Sequence, residues 1–373
     1  MTGLAEQPTL VAFSLPKEID TPAVVVDLDV VEHNVATMAA EMARRGVRLR
    51  PHAKTHKSIP IARLQLEAGA TGLTVGTLGE AEVFAAAGFD DIFIAYPIWA
   101  SAGKGERIRS LAEAVRLSIG VDSPEGATRL GEAVRGVAAR PEILIEVDSG
   151  ELRTGVTSAE AAVETAHAAR AAGLFVRGVF THGGHAYQSP AAAQTAAQDE
   201  ITTLTAAAEA LRAAGFEVHE LSAGSTPTAM RSSVDGVTEE RPGTYVFGDR
   251  QQVALGSVDP ESVGLVVATT LVSRSVDGQV VIDAGTKALG RERTSLLEGI
   301  AAIPGLDGAV VDRAYDYHGI VALGDRARPS LGTILAVVPN HVCPVVNLAN
   351  ELVVTRAGSY IARWPVDARG LNG

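Results

Sequence analysis

EILIEVDSG at residues 142–150, an Ala/Glu/Arg-rich stretch at 159–172, and FVRGVFTHGG at 175–184 follow one another without a gap in pattern. The outer two are β-branched or aromatic runs that end in Gly, Asp or Ser, and the middle one has helical spacing. Strand, helix, strand in succession points to parallel pairing through a crossover. The alternation extends both ways from this unit. Upstream lie VRLRPHAK (47–54), GLTVGT (72–77), DIFIAYP (91–97) and RLSIGVDS (116–123), with a helical candidate at 80–87. Downstream lie EVHELSAGS (217–225) and TYVFGD (244–249). Eight such runs predict a (β/α)8 TIM-type barrel, although a doubly wound sheet has the same local signature. TPAVVVDL (21–28) is a ninth run, followed by a helix through about Arg45, and periodicity alone does not say which run stands outside.

Beyond residue 260 the texture changes. VGLVVATTLVSR, QVVIDAG, GAVVDR, HGIVAL, LGTILAVVPNH, ELVVTRAG and SYIARWPV read as strands separated by Gly, Asp and Pro, with no convincing helix. This predicts a second, all-β domain.

The chain has 373 residues, enough to bury a large core and more than one domain. Its 32 Lys and Arg stand against 44 Asp and Glu, a formal charge of −12 that argues against nucleic acid or an anionic membrane as partner. The single cysteine, Cys343, rules out an internal disulfide and suits a reducing cytoplasm. MTGLAEQPTLVAF lacks the basic start and long apolar core of a signal peptide. No apolar run approaches the ~18 residues of a membrane helix. The expectation is a cytoplasmic protein.

In a parallel α/β protein, active sites form at the C-terminal ends of strands. Lys54 and His56 follow the second extended run, Asp148 and Arg153 follow EILIEV, His182 and His185 follow VRGVF, and Gly224, Ser225 and Thr226 follow EVHELSA. A lysine amine in a partly desolvated site can condense with an aldehyde, and a solvated loop lysine fits the bare pattern too. The small turn SAGST (222–226) offers backbone N–H groups and hydroxyls to a phosphate, or is only a turn. RPGTY (241–245) is a second such stretch. His341 and Cys343, if extended, point to one face and could chelate a soft or borderline ion such as zinc. Two ligands are an incomplete site, and Cys343 also reads as a small buried apolar residue. His318, in DYHG, fits a ligand-orienting role or a surface loop.

DTPAVVVDLDVVEHN, RPHAKTHK, GFDDIFIAYP, EVDSG, THGGHAY, RPGTYVFGD and PNHVCP, in this order, resemble the D-serine dehydratase/D-threonine aldolase family of alanine racemase-like (fold type III) enzymes dependent on pyridoxal 5'-phosphate, PLP. The similarity runs from about Asp20 to Gly370. It implies that TPAVVVDL leaves the barrel, giving a PLP-binding barrel at 26–255 and a β-strand domain made of 1–25 and 256–373. It implies Lys54 as the lysine that carries PLP, Arg153 near the cofactor's phenolic oxygen, His182 against its ring, and Tyr187 on the substrate side. Gly224, Ser225, Thr226, Gly243 and Tyr245 would hold the phosphate. His341 and Cys343 would bind a divalent metal, zinc before manganese, beside the cofactor. A homodimer and a small D-amino acid substrate are also implied. Relatives tend to carry an acidic residue just before the His-Gly at 318, where this chain has Tyr317, so no carboxylate is expected there.

The resemblance leaves two outcomes for a D-β-hydroxy-α-amino acid. Dehydration gives a 2-keto acid and ammonia, from D-serine or D-threonine; retro-aldol cleavage gives glycine and an aldehyde. The H-x-C version of the metal motif and GFDDIFIAYP look like the dehydratase branch, so dehydratase leads and D-threonine aldolase follows. An amino-acid racemase would need a second base and no metal, and a non-catalytic PLP-binding protein would lack the β domain.

Overall fold

The computed structural model describes residues 9–234, 236–306, 308–324 and 326–373. Residues 1–8, part of the 1–25 segment and of the stretch read for a signal peptide, lie outside the described residues.

The first strand, β1 (Ala23–Asp27), takes no part in the barrel. The barrel strands are β2 (Arg48–Leu49), β3 (Leu73–Val75), β4 (Asp91–Ile94), β5 (Arg116–Val121), β6 (Glu142–Glu146), β7 (Phe175–Phe180), β8 (Glu220–Ala223) and β9 (Glu239–Glu240). They stand in the order β2-β9-β8-β7-β6-β5-β4-β3, every pair parallel. The ring closes where the Thr71 and Thr74 N–H groups donate to the Leu49 and Pro51 carbonyls, both at 2.9 Å, beside a His52–Thr74 bridge. The sheet is therefore a TIM-like barrel and not an open doubly wound sheet.

Strand alternation sorts the side chains. Ile92 and Ile94, Ile119 and Val121, and Ile143 and Ile145 belong to the layer packed under the helices, whereas Phe93, Leu144 and Phe180 form a separate cluster within the barrel. Phe93 and Phe180 meet edge to face, with centroids 5.1 Å apart. A Cβ at residue 120 would lie 2.6 Å from the Phe180 ring, so glycine is what lets that ring in. Five barrel helices start at Thr77, Ser101, Ser123, Ser158 and Ser189, each accepting a backbone N–H three residues on.

Two barrel runs differ from their sequence reading. TYVFGD is not the eighth strand: β9 is Glu239–Glu240, and Thr244–Val246 forms a 3-10 turn behind Pro242 and Gly243. Two consecutive carboxylates read poorly as a buried strand, but Arg50 Nε lies 2.7 Å from Glu239 and Nη1 lies 2.6 Å from Asp91. VRLRPHAK pairs only at Arg48–Leu49, then turns at Ala53–Thr55 and carries Lys54 to the barrel mouth.

The second sheet contains β1 together with β10 (Leu265–Ser273), β11 (Gln279–Ile282), β12 (Ala301–Ala302), β13 (Val310–Ala314), β14 (Gly319–Ala322), β15 (Ile334–Pro339), β16 (Glu351–Arg356) and β17 (Ser359–Pro365). Its order is β11-β14-β13-β12-β15-β10-β1-β16-β17, and β10 also pairs with β11, so part of the sheet returns on itself. All pairs are antiparallel except β1 with β16. The region is not helix-free: Thr286–Leu289 and Val342–Leu348 are short helices, too brief for a 3.6-residue period to stand out. Among the described residues, no helix is long and apolar enough to cross a membrane.

Candidate active site

A cavity lies at the C-terminal ends of the barrel strands, and most of the residues singled out by sequence meet there. Lys54, Arg153, His182, Tyr187, Gly224, Ser225, Thr226 and Gly243 all line it. They come from five separate segments that share only the position after a strand.

Lys54 sits in the turn Ala53–Thr55, which His52 caps through Nδ1, 3.4 Å from the Lys54 N–H. The Lys54 side chain is exposed within the cavity, not sealed behind apolar neighbours. Neighbouring Lys57 is buried, its Nζ held by Asn347 at 2.8 Å, Asn372 at 3.0 Å and Glu80 at 3.2 Å. Of these two lysines, only Lys54 reaches the cavity.

Gly224 has φ +94°, and a Cβ there would lie 1.6 Å from Glu240 Oε2, so the position needs glycine twice over. Ser225 N–H donates to Thr228 Oγ1 at 2.9 Å, and Thr226 Oγ1 accepts the Tyr245 N–H at 3.0 Å. Tyr245 backs the cavity without lining it: its hydroxyl accepts from Gln65 Nε2 at 3.1 Å, and burial pushes it above the ordinary phenol value. Gly243 does line the cavity, and a Cβ there would meet Thr55 Oγ1 at 2.7 Å.

The electrostatics favour an anion. Against a chain charge of −12, the lining carries Lys54, Arg153 and Arg241 and only Glu146 as a carboxylate. Burial raises the Glu146 carboxyl above its usual range, and the residue is 4% exposed. Burial, reinforced by the Lys54 and Arg241 charges, holds His52 and His182 well below the ordinary imidazole value, so both are neutral. Tyr187 is pushed up by burial and by nearby Cys343 and Asp249, and stays protonated. Arg241 is fixed to Ser222 Oγ at 2.6 Å and to the Thr181 carbonyl, over the Phe93 and Phe180 rings. A phosphorylated aromatic aldehyde fits this set: a reachable lysine amine, a glycine turn with hydroxyls, and cationic walls around neutral imidazoles.

His341 and Cys343 do not share the face of a strand. β15 stops at Pro339, His341 is the N-cap of Val342–Leu348, and Cys343 lies in that helix's first turn. The helix start still brings them together. Burial alone would raise the Cys343 thiol, but His341 and then Lys54 bring it below the usual thiol value. Burial alone would lower His341, but Cys343 and Asp249 raise it well above the imidazole range. Cys343 Sγ lies 3.4 Å from Thr55 Oγ1, and His341 Nδ1 lies 3.1 Å from Asp249 Oδ2. Among the described residues, no three His, Cys, Asp or Glu side chains gather as a complete metal cage. A pair with this chemistry suits an ion that keeps open positions.

Other strand-end residues are structural. Asp148 Oδ1 accepts the Gly150 and Leu152 N–H groups at 3.2 and 2.9 Å, shaping the loop that presents Arg153. His185 Nε2 lies 3.1 Å from Asp199, and buried His56 Nε2 lies 3.2 Å from Gln65 Oε1. His318 is exposed, and Tyr317 lies against Lys287, its hydroxyl 3.0 Å from Nζ. Sequence reading missed His52, Thr55, Glu146 and Arg241 in the lining, and Asp249 behind His341. Arg241 opens RPGTY and His52 stands in RPHAKTHK, so their motifs were visible even though their roles were not.

Comparison with known proteins agrees with this geometry. The model of the alanine racemase N-terminal domain matches residues 26–251, and that of the putative serine dehydratase domain matches 264–355. D-threo-3-hydroxyaspartate dehydratase of Delftia sp. (strain HT23) is 38% identical over 347 residues, covering 87% of this chain and 91% of that protein. D-threonine aldolase of Arthrobacter sp. is 32% identical over 361 residues, covering 95% and 94%. The solved structure of a cysteine-to-alanine mutant of D-threo-3-hydroxyaspartate dehydratase in the metal-free form superposes with TM-score 0.85 at 35% identity, covering 93% of this chain and 97% of that one. The chain belongs to the alanine racemase-like, fold type III PLP family, in its D-serine dehydratase/D-threonine aldolase branch of lyases.

Proposed function

We propose that this chain is a PLP- and divalent-metal-dependent dehydratase of small D-β-hydroxy-α-amino acids, yielding a 2-keto acid and ammonia. The observation that carries the reading is the His341–Cys343 pair, held through Thr55 beside the turn that presents Lys54. Bound PLP supplies an electron sink for charge at the substrate Cα, and a divalent ion supplies a Lewis acid for a β-hydroxyl. Lys54 holds the cofactor and, once released, is the base placed to take the Cα proton. Gly224, Ser225, Thr226 and Gly243 take the phosphate end, with Tyr245 behind them. Arg153 holds the phenolic oxygen ionised, and neutral His182 lies against the ring. Tyr187, kept protonated by burial, faces the substrate. His341 and Cys343 hold the ion, and the sulfur ligand favours zinc, with manganese second.

The barrel at 26–255 thus carries the cofactor, while 1–25 and 256–373 supply the metal side. A cytoplasmic homodimer is the form we expect to act. The dehydratase named above, at 38% identity, supports the reaction type and adds D-threo-3-hydroxyaspartate to D-serine and D-threonine as a substrate to test. Retro-aldol cleavage is the second reading, favoured by the D-threonine aldolase at 32% identity. Incubation with D-serine, D-threonine and both D-3-hydroxyaspartate diastereomers, with product identification, decides between them. Keto acid with ammonia supports the dehydratase, glycine with an aldehyde supports the aldolase, and the L-enantiomer alone would indicate a racemase.

A further inference from the structure

Asp249 does not line the cavity, yet it is fully buried and its carboxylate is fully used. Oδ1 accepts the Gln252 N–H at 2.8 Å, capping the short helix Arg250–Ala254. Oδ2 accepts the Val342 N–H at 3.2 Å and lies 3.1 Å from His341 Nδ1. The two oxygens therefore join the end of the barrel segment to the start of the Val342–Leu348 helix. With one carboxylate oxygen facing it, Nδ1 is the nitrogen that carries hydrogen. That leaves Nε2, on the opposite edge of the ring, as the nitrogen that can bind an ion once its own proton has gone.

We propose that Asp249 is the positioning residue of the metal pair: it fixes His341 in the Nδ1–H tautomer and turns Nε2 toward the ion position shared with Cys343. The proposal rests on reading His341 and Cys343 as metal ligands, and it adds the group that makes this histidine a ligand. A carboxylate behind a ligating imidazole fixes its orientation and raises its basicity, and loss of such a partner typically costs about 10–100-fold in metal affinity. The competing account is that Asp249 is only a helix cap. Asn caps helices as well as Asp does. An amide, however, has one acceptor oxygen, and cannot both cap Gln252 and hold the Nδ1 hydrogen.

Asp249→Asn therefore separates the two accounts. In cofactor-loaded protein stripped of metal, zinc affinity is measured by competition with a chromophoric chelator, in wild type, Asp249→Asn and Cys343→Ala. Asp249→Asn should bind zinc about 10–100-fold more weakly than wild type, with the cofactor absorption kept and the melting temperature modestly lowered, since the amide leaves either the Gln252 or the Val342 N–H without its acceptor. With cobalt as probe it should still show the sulfur-to-metal charge-transfer band at high cobalt, a band that Cys343→Ala lacks. Wild-type zinc affinity in Asp249→Asn overturns the role of Asp249 and leaves the metal pair standing. A wild type that binds no zinc overturns both. If the variant does not fold, nitrogen-15 spectra of histidine-labelled wild type answer the same question. A zinc-shifted Nε2 with a protonated Nδ1 supports the proposal, and zinc on Nδ1 refutes it.

Discussion

The Thr55 hydroxyl lies 3.4 Å from the Cys343 sulfur, joining the residue after Lys54 to a helix that begins 287 positions further along the chain. Gly243 closes on the same hydroxyl from a third segment, since a Cβ there would stand 2.7 Å away. The lysine turn, the RPGT turn and the cysteine helix are thus packed around one oxygen. Any change there is felt by both halves of the site.

Thr55→Val removes that oxygen while nearly keeping the shape. Thr55 helps lower the Cys343 thiol, so the variant's thiol should titrate higher than that of wild type. With one cysteine in the chain, thiolate absorbance of metal-free protein reads this directly. An unchanged titration would reduce the contact to packing.

Lys54 should be the residue that holds PLP. Borohydride reduction of the purified, cofactor-loaded protein should fix PLP to the peptide containing Lys54, and Lys54→Ala should lack the visible band of the wild type. Label on buried Lys57 or on Lys287 would refute the assignment.

Cys343→Ala should lose metal and lyase turnover while keeping the PLP absorption, because Lys54 and the Gly224 turn belong to the barrel. Chelation should reproduce this in wild type, and added zinc should reverse it there only. Full activity in demonstrably metal-free protein would leave Cys343 as a packing residue.

Gly224→Ala should weaken PLP binding strongly. The new Cβ meets Glu240 Oε2 at 1.6 Å at a φ of +94°, so the buried Glu240 carboxylate must shift and the backbone of the turn is strained. We expect at least a 10-fold rise in the PLP dissociation constant, of order 1.4 kcal/mol, measured by fluorescence titration of apoprotein. Wild-type affinity would mean the phosphate lies elsewhere.

Stability should fall as pH drops from about 6.5 toward 4. Burial brings His56 down to about 4 from 6.5, so between those values the unfolded chain binds the extra proton and the folded one does not. The contribution is complete above 6.5 and is lost by about 4, up to roughly 3 kcal/mol. Neutral His52 and His182 act in the same direction. Urea unfolding of wild type and His56→Gln at pH 7.5 and 4.5 isolates the His56 share, and parallel losses in the two proteins would contradict it.

What could be read beforehand follows from what leaves a local trace. β4, β5, β6 and β7 are apolar runs bounded by turn residues, so Arg153, His182 and Tyr187 could be placed at their ends. β9 left no such trace, because Glu239 and Glu240 are buried through Arg50, Ser222 and Ser232, which lie on other elements of the chain. Arg241 and Asp249 were overlooked for the same reason: a buried charge is legible only once its partners are known. The H-x-C spacing was visible, but an extended and a helical start bring two such side chains together equally well, and seven residues of helix are too few to tell by period.

β1 is the interior strand between β10 and β16, yet the ribosome delivers it before any of its neighbours. Val25 must wait for Val266 on one side and Val353 on the other, while the eight barrel strands are synthesised in between. During translation this apolar strand has no strand partner, a hazard that the intervening barrel can help to bury, through Val31, Val35 and Ile61, but cannot pair. A fragment spanning only 256–373 would have β10 and β16 facing a gap. The two modules therefore share one thread, and the second is finished only when β16 has followed the whole barrel out of the ribosome.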